Sequence, residues 1–263
     1  MTSKHIPRKR FGQNFLHDQN IIANIIKLVA PISEDQFIEI GPGQGALTLP
    51  LLEYVNALDV IEIDRDLVAW WKAQSIAKLN IHECDALKVD YCEIRTNKTQ
   101  KIRLIGNLPY YISTPLLFHL LESRHCIVDM HFMLQKEVVE RIVAQPGTKT
   151  YGRLSVMMQF FYEAESLLTV RPGSFNPPPR VDSAIVRLKP YQVAPYPANP
   201  KSLGKVVNQA FSQRRKTLRN ALKNLVTEQQ ITQLGIDPGC RAETLPLEAF
   251  VRLSNLLDDK PQD

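Results

Sequence analysis

Cysteine is scarce in this sequence, and its spacing matches no metal-binding or redox motif. The four cysteines form no Cys-x-x-Cys pair, and no histidine follows them at zinc-finger spacing; they are Cys84, Cys92, Cys126 and Cys240. A disulfide framework is typical of small, cysteine-dense secreted domains, and a structural zinc site is typical of paired cysteines. We therefore expect no disulfide framework, no bound metal and a reducing compartment.

Long apolar runs are lacking as well. The basic N-terminal segment, residues 4–10, precedes an isoleucine-rich stretch that Asn24 and Lys27 interrupt. Neither a signal peptide nor a membrane span is indicated, and no internal repeat or low-complexity tract is present. The expected location is the cytoplasm, with no membrane partner.

Positive charge is in slight excess and is clustered. The chain has 263 residues, a formal net charge of +5 and 44% hydrophobic residues, enough for one large domain and a smaller one. The clustered basic residues are Arg8, Lys9 and Arg10 in the arm, and Arg214, Arg215, Lys216 and Arg219 near the C-terminal end. Such clusters favour a polyanionic partner such as RNA, although a charge run is more often a solvated surface.

A glycine-rich turn lies between two predicted strands. Residues 37–40 form the first strand and Gly41–Gly45 the turn, while the second strand, residues 57–63, carries Glu62 near its end. Glycines allow close approach of a ligand to the backbone, and an acid at this distance can bind ribose hydroxyls. The Gly-x-Gly-x-Gly spacing differs from a pyrophosphate-binding turn, and Glu39 would repel phosphate. A cationic nucleoside, S-adenosylmethionine, is favoured over NAD.

Asp85 follows a third predicted strand, residues 80–84. At the carboxyl end of a strand its carboxylate could accept a hydrogen bond from the amino group of adenine. A helix-capping role is equally compatible with the sequence.

The sequence Asn107-Leu108-Pro109-Tyr110 follows a short apolar strand, residues 102–106. The exocyclic nitrogen of adenine, N6, is a poor nucleophile because its lone pair is delocalised into the ring. Acceptors for its two hydrogens would localise that pair, and the Asn107 side chain and the Leu108 carbonyl can supply them. Pro109 stiffens the turn without adding a donor, and Tyr110 can stack on the base. Taken alone, these four residues are more often an ordinary turn.

A proline-rich loop, residues 175–183, separates two further predicted strands. Consecutive prolines keep such a loop extended and rigid. Phe175 is therefore fixed either as a second stacking face for the base or as an inward-facing anchor of a surface connection.

The C-terminal part of the chain is predicted to be helical. Residues 190–200 contain four prolines and no apolar periodicity, which is typical of a domain linker. Beyond it, apolar residues recur at helical spacing from Val206 to Leu225. One continuous helix would place Arg214 inside the apolar stripe, so we predict a break near residues 214–216.

Together these motifs resemble the ribosomal RNA adenine N6,N6-dimethyltransferases. The matching segments are residues 10–16, 39–45, 107–110, 175–183 and 213–216. The resemblance is greatest to the bacterial enzymes that modify two adjacent adenines in the 3′-terminal hairpin of small-subunit (16S) ribosomal RNA. The related antibiotic-resistance enzymes that act on large-subunit RNA are less similar in residues 211–220 and in the proline-rich loop.

The resemblance implies an α/β fold with a Rossmann-like class I methyltransferase core, residues 1–192, and a small all-helical RNA-contacting domain, residues 200–263. The core would contain a mostly parallel seven-stranded sheet whose last strand is antiparallel. The implied cofactor is S-adenosylmethionine, converted to S-adenosylhomocysteine, with no metal. The implied partner of a monomeric enzyme is small-subunit ribosomal RNA within an immature 30S particle, with a role in subunit biogenesis.

The resemblance also assigns site residues. The residues implied to contact the cofactor are Asn14, Leu16, Gly41, Glu62, Asp85 and Asn107. Those implied to hold a flipped adenine are Asn107, Leu108, Tyr110 and Phe175. Tyr111 stands where many relatives carry Asn, which leaves the packing at that position open.

The residue types favour direct methyl transfer to N6, twice per base, without a general base. Three alternatives are compatible with parts of the sequence. A DNA adenine methyltransferase would use the same four-residue turn, and a ribosome-assembly factor would need recognition of immature subunits more than catalysis. An NAD-dependent dehydrogenase fits least, because the glycine spacing is wrong and no acid or base for hydride transfer is found.

Overall fold

The computed structural model describes residues 13–95, 97–213 and 215–258. The chain forms two compact units, one comprising Met1–Val139 with Glu165–Pro190 and the other Glu140–Ala164 with Tyr191–Asp263. The expected boundary at residue 192 had placed residues 140–164 in the core. They group instead with the helical unit, where the helix at Arg153–Phe161 packs against the helix at Pro200–Phe211.

The sheet of the first unit is mostly parallel. In chain order the strands among the described residues are β1 (Phe15–Leu16), β2 (Gln36–Ile40), β3 (Leu58–Glu62), β4 (Leu79–Glu83), β5 (Ile102–Asn107), β6 (Ile127–Gln135), β7 (Tyr162–Val170), β8 (Phe175–Asn176) and β9 (Ser183–Pro190). Seven of them form one sheet in the order β4-β3-β2-β5-β6-β9-β7. Strands β2 to β6 pair in parallel, and β9 is antiparallel to β6.

The helices connect these strands and build the second unit. They are α1 (Gln19–Val29), α2 (Thr48–Leu51), α3 (Arg65–Gln74), α4 (Ser113–His119), α5 (Lys136–Ile142), α6 (Arg153–Phe161), α7 (Pro200–Phe211), α8 (Leu218–Leu222), α9 (Glu228–Gln233) and α10 (Leu247–Asp258). The predicted cap of α1 is confirmed, because the Asp18 carboxylate accepts from the amides of Asn20 and Ile21. No helix in the described ranges is long and apolar enough to cross a membrane.

The apolar runs in β2, β3 and β5 form the centre of the sheet. Phe37 and Ile38 in β2, Val60 in β3 and Leu104 in β5 are completely buried. Continuous burial is typical of parallel strands covered on both faces. The carboxyl ends of these strands lie at one edge of the sheet, so the predicted glycine turn, Glu62 and Asn107 are brought together there.

An ion-pair network holds the opposite ends of the central strands. The guanidinium of Arg103 in β5 forms two hydrogen bonds of 2.9 Å with the Asp129 carboxylate of β6. It donates a further bond of 2.8 Å to Asp35, just before β2, and lies 4.9 Å from the centroid of the Phe37 ring. The side chain is 11% exposed, so these partners satisfy a charge that is largely removed from water.

The sequence predicted no disulfide framework, but the structure contains one disulfide. Cys92, in the connection after β4, is bonded to Cys126, in the turn before β6, while Cys84 and Cys240 are free. The two bonded cysteines are 34 residues apart, and such a separation gives no sign of pairing in the sequence. His125 lies beside them, and the three possible metal-ligand atoms are within 4.8 Å of one another. Sulfurs that are bonded to each other do not act as thiolate ligands.

The predicted break in the C-terminal helical segment is confirmed. Helix α7 ends at Phe211 and α8 begins at Leu218, and the corner between them includes Arg215 and Lys216. Within this unit α7 packs against α6, α8 and α10. The apolar residues at helical spacing, such as Val206 and Val207, are buried in these contacts.

Candidate functional site

A pocket lies at the carboxyl edge of the sheet. It is lined by residues of the segment that includes β1, of the glycine turn after β2, of the end of β3, and of the loops that follow β4 and β5. Eight of the predicted site residues line it: Asn14, Leu16, Gly41, Glu62, Asp85, Asn107, Leu108 and Tyr110. The structure therefore brings together residues that are up to 96 positions apart, counted from 14 to 110.

The glycine turn leaves open space in the pocket. Gly41 has a φ of +70°, and a Cβ built there would meet no atom within 4 Å. Gly43 has a φ of +53°, and its Cβ would come to 3.0 Å from the Phe15 ring. The carbonyl of Gly43 accepts a hydrogen bond from the Trp71 indole at 3.0 Å. Gly43 is thus required for packing, whereas Gly41 presents bare backbone to a ligand.

A buried carboxylate lies beneath the turn. Glu39 is 2% exposed and accepts a hydrogen bond of 2.6 Å from the Thr48 hydroxyl. Burial raises the pKa of Glu39 to about 7, with the Thr48 bond acting against the increase and the charge of Glu62 adding to it. Two acids lining one pocket favour a cationic ligand, and they disfavour the phosphates of a dinucleotide.

Glu62 is held in a fixed orientation at the end of β3. One of its oxygens accepts from the amides of Ile63 and Asp64, each at 2.9 Å, and the Gly43 amide also bonds this carboxylate. Burial raises the pKa of Glu62 despite these bonds. A carboxylate has about four acceptor positions, so it retains capacity for the hydroxyls of a ribose.

Asp85 does not cap a helix, because a turn follows it, and its proposed bond to an adenine amino group stays a prediction. One carboxylate oxygen accepts from the Leu87 amide at 3.0 Å, which is a turn-capping bond. The residue also lines the pocket, and its second oxygen can accept from a ligand.

Asn107 is linked to the segment before β1. Its Nδ2 donates to the backbone carbonyl of Asn14 at 2.9 Å. A carbonyl can only accept, so this bond fixes the orientation of the amide and leaves the Oδ1 of Asn107 as an acceptor in a pocket-lining residue. The next residue, Leu108, donates its amide to the Met133 carbonyl at 3.1 Å, which anchors the turn to β6.

Tyr110 is fixed by its hydroxyl. The hydroxyl forms a 2.9 Å hydrogen bond with Ser183, the first residue of β9. Burial raises the pKa of Tyr110, so the phenol is neutral at physiological pH. Its ring lines the pocket and offers an aromatic face.

Phe175 takes the inward placement of the two that the sequence allowed. It is 3% exposed, pairs with Leu16 across β1 and β8, and belongs to the hydrophobic core. It is not among the residues that line the pocket. Its stacking role stays a prediction, and it would require the side chain to leave this position.

The pocket residues that sequence reasoning missed include Ile63 and Cys84. Each is the direct neighbour of a predicted site residue, and that adjacency was the available signal.

The basic residues are described only in part. Arg8, Lys9, Arg10 and Arg214 lie outside the described residues. Arg215 and Lys216 are exposed between α7 and α8, and Arg219 is exposed and donates to Glu228 at 3.0 Å.

Comparison with known proteins shows the family of the chain. The profile of the ribosomal RNA adenine dimethylase family matches residues 4–259. The chain is 54% identical over 259 residues to the ribosomal RNA small subunit methyltransferase A of Hydrogenovibrio crunogenus, with 97% of each chain covered.

Solved structures show the same fold. A dimethyladenosine transferase from Plasmodium falciparum is 27% identical and superimposes with a TM-score of 0.74. The alignment covers 91% of this chain and 95% of that one. The 23S rRNA methyltransferase ErmE, 23% identical, shares the fold with a TM-score of 0.73 over 94% of this chain and 100% of that one. The predicted class I methyltransferase core is thereby confirmed. The chain belongs to the ribosomal RNA adenine dimethylase family.

Proposed function

We propose that this protein transfers methyl groups from S-adenosylmethionine to N6 of two adjacent adenines in the 3′-terminal hairpin of 16S ribosomal RNA. The products are N6,N6-dimethyladenosines. The observation that carries the proposal is the fixed amide of Asn107, whose Nδ2 bonds the Asn14 carbonyl while its Oδ1 remains an acceptor. Membership of the family and the similarity to a small-subunit RNA methyltransferase support it.

The pocket residues fit a nucleoside with a cationic amino acid tail. Open space over Gly41 admits the ligand, Glu62 accepts from ribose hydroxyls, and Asp85 accepts from the adenine amino group. The acids Glu62 and Asp85 provide a negative environment for the positive charge. S-adenosylmethionine, when bound, supplies a methyl group on a sulfonium whose neutral thioether is a good leaving group.

The chain's own residues prepare the target nitrogen. Asn107 Oδ1 and the Leu108 carbonyl accept from the two hydrogens of N6, which localises its lone pair. Tyr110, fixed by Ser183, holds the base by stacking. Catalysis therefore rests on orientation and on preorganised acceptors.

No general base is needed for this reaction. Among the described residues that line the pocket there is no His and no Lys. N6 becomes acidic once it is alkylated, and it then loses its proton to water. In the second transfer N6 carries one methyl group and one hydrogen, so one acceptor holds that hydrogen while the second methyl group is added and the proton is lost to water.

The RNA partner is proposed to be bound in the immature 30S particle by the basic arm and by the corner that includes Arg215 and Lys216. The side chains of Arg215 and Lys216 are exposed, and exposed basic residues can neutralise the phosphates of a nucleic acid. The proposed enzyme acts as a monomer in the cytoplasm and contributes to small-subunit biogenesis.

The test is methyl transfer from labelled S-adenosylmethionine to small subunits that lack the modification, followed by identification of the labelled nucleoside. The proposal expects N6,N6-dimethyladenosine at two adjacent positions of the 3′-terminal hairpin. Labelling of duplex DNA in preference to the subunit, or of another nucleoside, would contradict it.

A further inference from the structure

Two large apolar side chains are exposed in the pocket. Ile63 is 47% exposed and Tyr111 is 57% exposed, and among the exposed large hydrophobic residues of the described chain these are the two that line this pocket. Neither has a part in binding the ribose or in preparing the target nitrogen. Exposed apolar surface inside a ligand pocket is typically covered by the ligand.

Tyr111 and the two acids reach the pocket from three different strands of the sheet. Because the order is β4-β3-β2-β5, the loops after β4 and β5 reach the pocket from opposite sides of β3 and β2. Asp85 comes from the first loop and Tyr111 from the second, with Glu62 at the end of β3 between them. The two loops reach the pocket from opposite sides, so a nucleoside that bonds Glu62 through its ribose and Asp85 through its base shares the pocket with the exposed side chain of Tyr111.

The charges near Tyr111 bear on which ligand can occupy this part of the pocket. Burial raises the pKa of Tyr111, and the charges of Asp85 and Glu62 add to the increase, so the phenol is within electrostatic reach of both acids. These acids also make the position unfavourable for the phosphates of an RNA strand. The aromatic face proposed for the target base is Tyr110, which is fixed by Ser183. The surroundings of Tyr111 thus favour the cofactor over the RNA.

We propose that Tyr111 is a specificity-determining residue for the cofactor, whose ring packs on the adenine of S-adenosylmethionine and S-adenosylhomocysteine, with Ile63 as a second apolar contact. The inference rests on the proposed function and assigns the adenine contact of the same pocket. Ring stacking on a base is expected to strengthen binding by about tenfold.

The test is a cycle that removes the adenine and the ring separately. Isothermal titration measures the Kd of S-adenosylhomocysteine and of S-ribosylhomocysteine, which lacks the base, for the wild-type chain, Tyr111→Ala and Tyr111→Phe. The matched control is Tyr54→Ala, because Tyr54 is 51% exposed and does not line this pocket. The Tm of each free variant confirms folding.

Tyr111→Ala is expected to weaken S-adenosylhomocysteine about tenfold and to leave S-ribosylhomocysteine within about twofold. Tyr111→Phe, which keeps the ring, and Tyr54→Ala are expected to match the wild type for both ligands. Equal loss for the two ligands, or an unchanged Kd for S-adenosylhomocysteine in Tyr111→Ala, would overturn the assignment. A wild-type chain that binds neither ligand would contradict the proposed function itself.

Discussion

The side-chain amide of Asn107 donates to the backbone carbonyl of Asn14 at 2.9 Å, and this bond joins the turn after β5 to the segment before β1. One of the two N–H donors of the Asn107 amide is used by this bond, and its oxygen is left for a ligand. The bond also makes the geometry of the acceptor depend on the N-terminal segment, which packs Phe15 against the glycine turn. Cofactor pocket and nucleophile site are therefore built on one set of contacts.

Replacing Gly41 tests whether its open space belongs to the cofactor. Gly41→Ala adds a methyl group where no protein atom lies within 4 Å, at a φ of +70° that disfavours side chains. We expect a loss of stability of about 1–2 kcal/mol from backbone strain, and a loss of S-adenosylhomocysteine affinity of at least about tenfold. Thermal unfolding and isothermal titration measure the two effects.

The matched control is Gly147→Ala. Gly147 has a φ of +84°, has no atom within 4 Å of a built Cβ, and does not line the pocket. It should show a similar strain and an unchanged Kd. Equal affinities for all three proteins would mean that the turn at Gly41 does not contact the cofactor.

The buried Glu39 predicts a pH-dependent stability. Its pKa is about 7 in the folded chain, above its ordinary value of 4.5, so the folded state keeps a proton that the unfolded state loses between those values. Stability contributed by the protonated form is fully present below pH 4.5 and is lost as the pH rises through 7. Glu39→Gln removes this loss, which is on the order of 3 kcal/mol.

The measurement is the free energy of unfolding of the wild type and of Glu39→Gln at pH 5 and at pH 8, compared as a difference. Burial lowers the pKa of His131 to about 4, so its contribution to stability is instead lost as the pH falls. This contribution is the same in both proteins and cancels in the difference. We expect the free energy of unfolding of Glu39→Gln to increase relative to that of the wild type as the pH rises. A difference that does not change with pH would show that Glu39 does not titrate in this range.

The Arg103 network should contribute more to stability than the exposed ion pairs of the sheet. Arg103→Met leaves Asp129 and Asp35 without their cation, and we expect a loss of about 3–5 kcal/mol in the free energy of unfolding. The control is Arg187→Met, because Arg187 pairs with Glu165 at a more exposed position, and its loss should cost no more than about 1 kcal/mol. Similar losses in the two variants, measured by denaturant unfolding, would refute the ranking.

Much of the fold could be predicted from local patterns. The buried runs of β2, β3 and β5 and the capped helix after Asp18 are encoded by residues close together in sequence. The break between Phe211 and Leu218 followed from the position of Arg214 in an apolar stripe, and it is confirmed. The position of the pocket could be predicted as well, because parallel strands bring their carboxyl ends to one edge of the sheet.

What the sequence could not supply are contacts between distant segments. The Cys92–Cys126 disulfide, the pairing of Leu16 with Phe175 and the grouping of residues 140–164 with the helical unit all depend on how the chain packs. The inward placement of Phe175 shows the difficulty, because a rigid loop fixes a side chain without deciding which way it faces.

The most direct test of the account is single-turnover methyl transfer by Asn107→Ala. This variant loses the oxygen that accepts from N6, and we expect the rate to fall by at least about 10²-fold, by analogy with loss of one preorganised hydrogen-bonding group. Its Tm, and near-wild-type labelling of Tyr54→Ala, serve as controls. A folded Asn107→Ala protein that dimethylates the small subunit at the wild-type rate would contradict the central claim that this amide prepares the nucleophile.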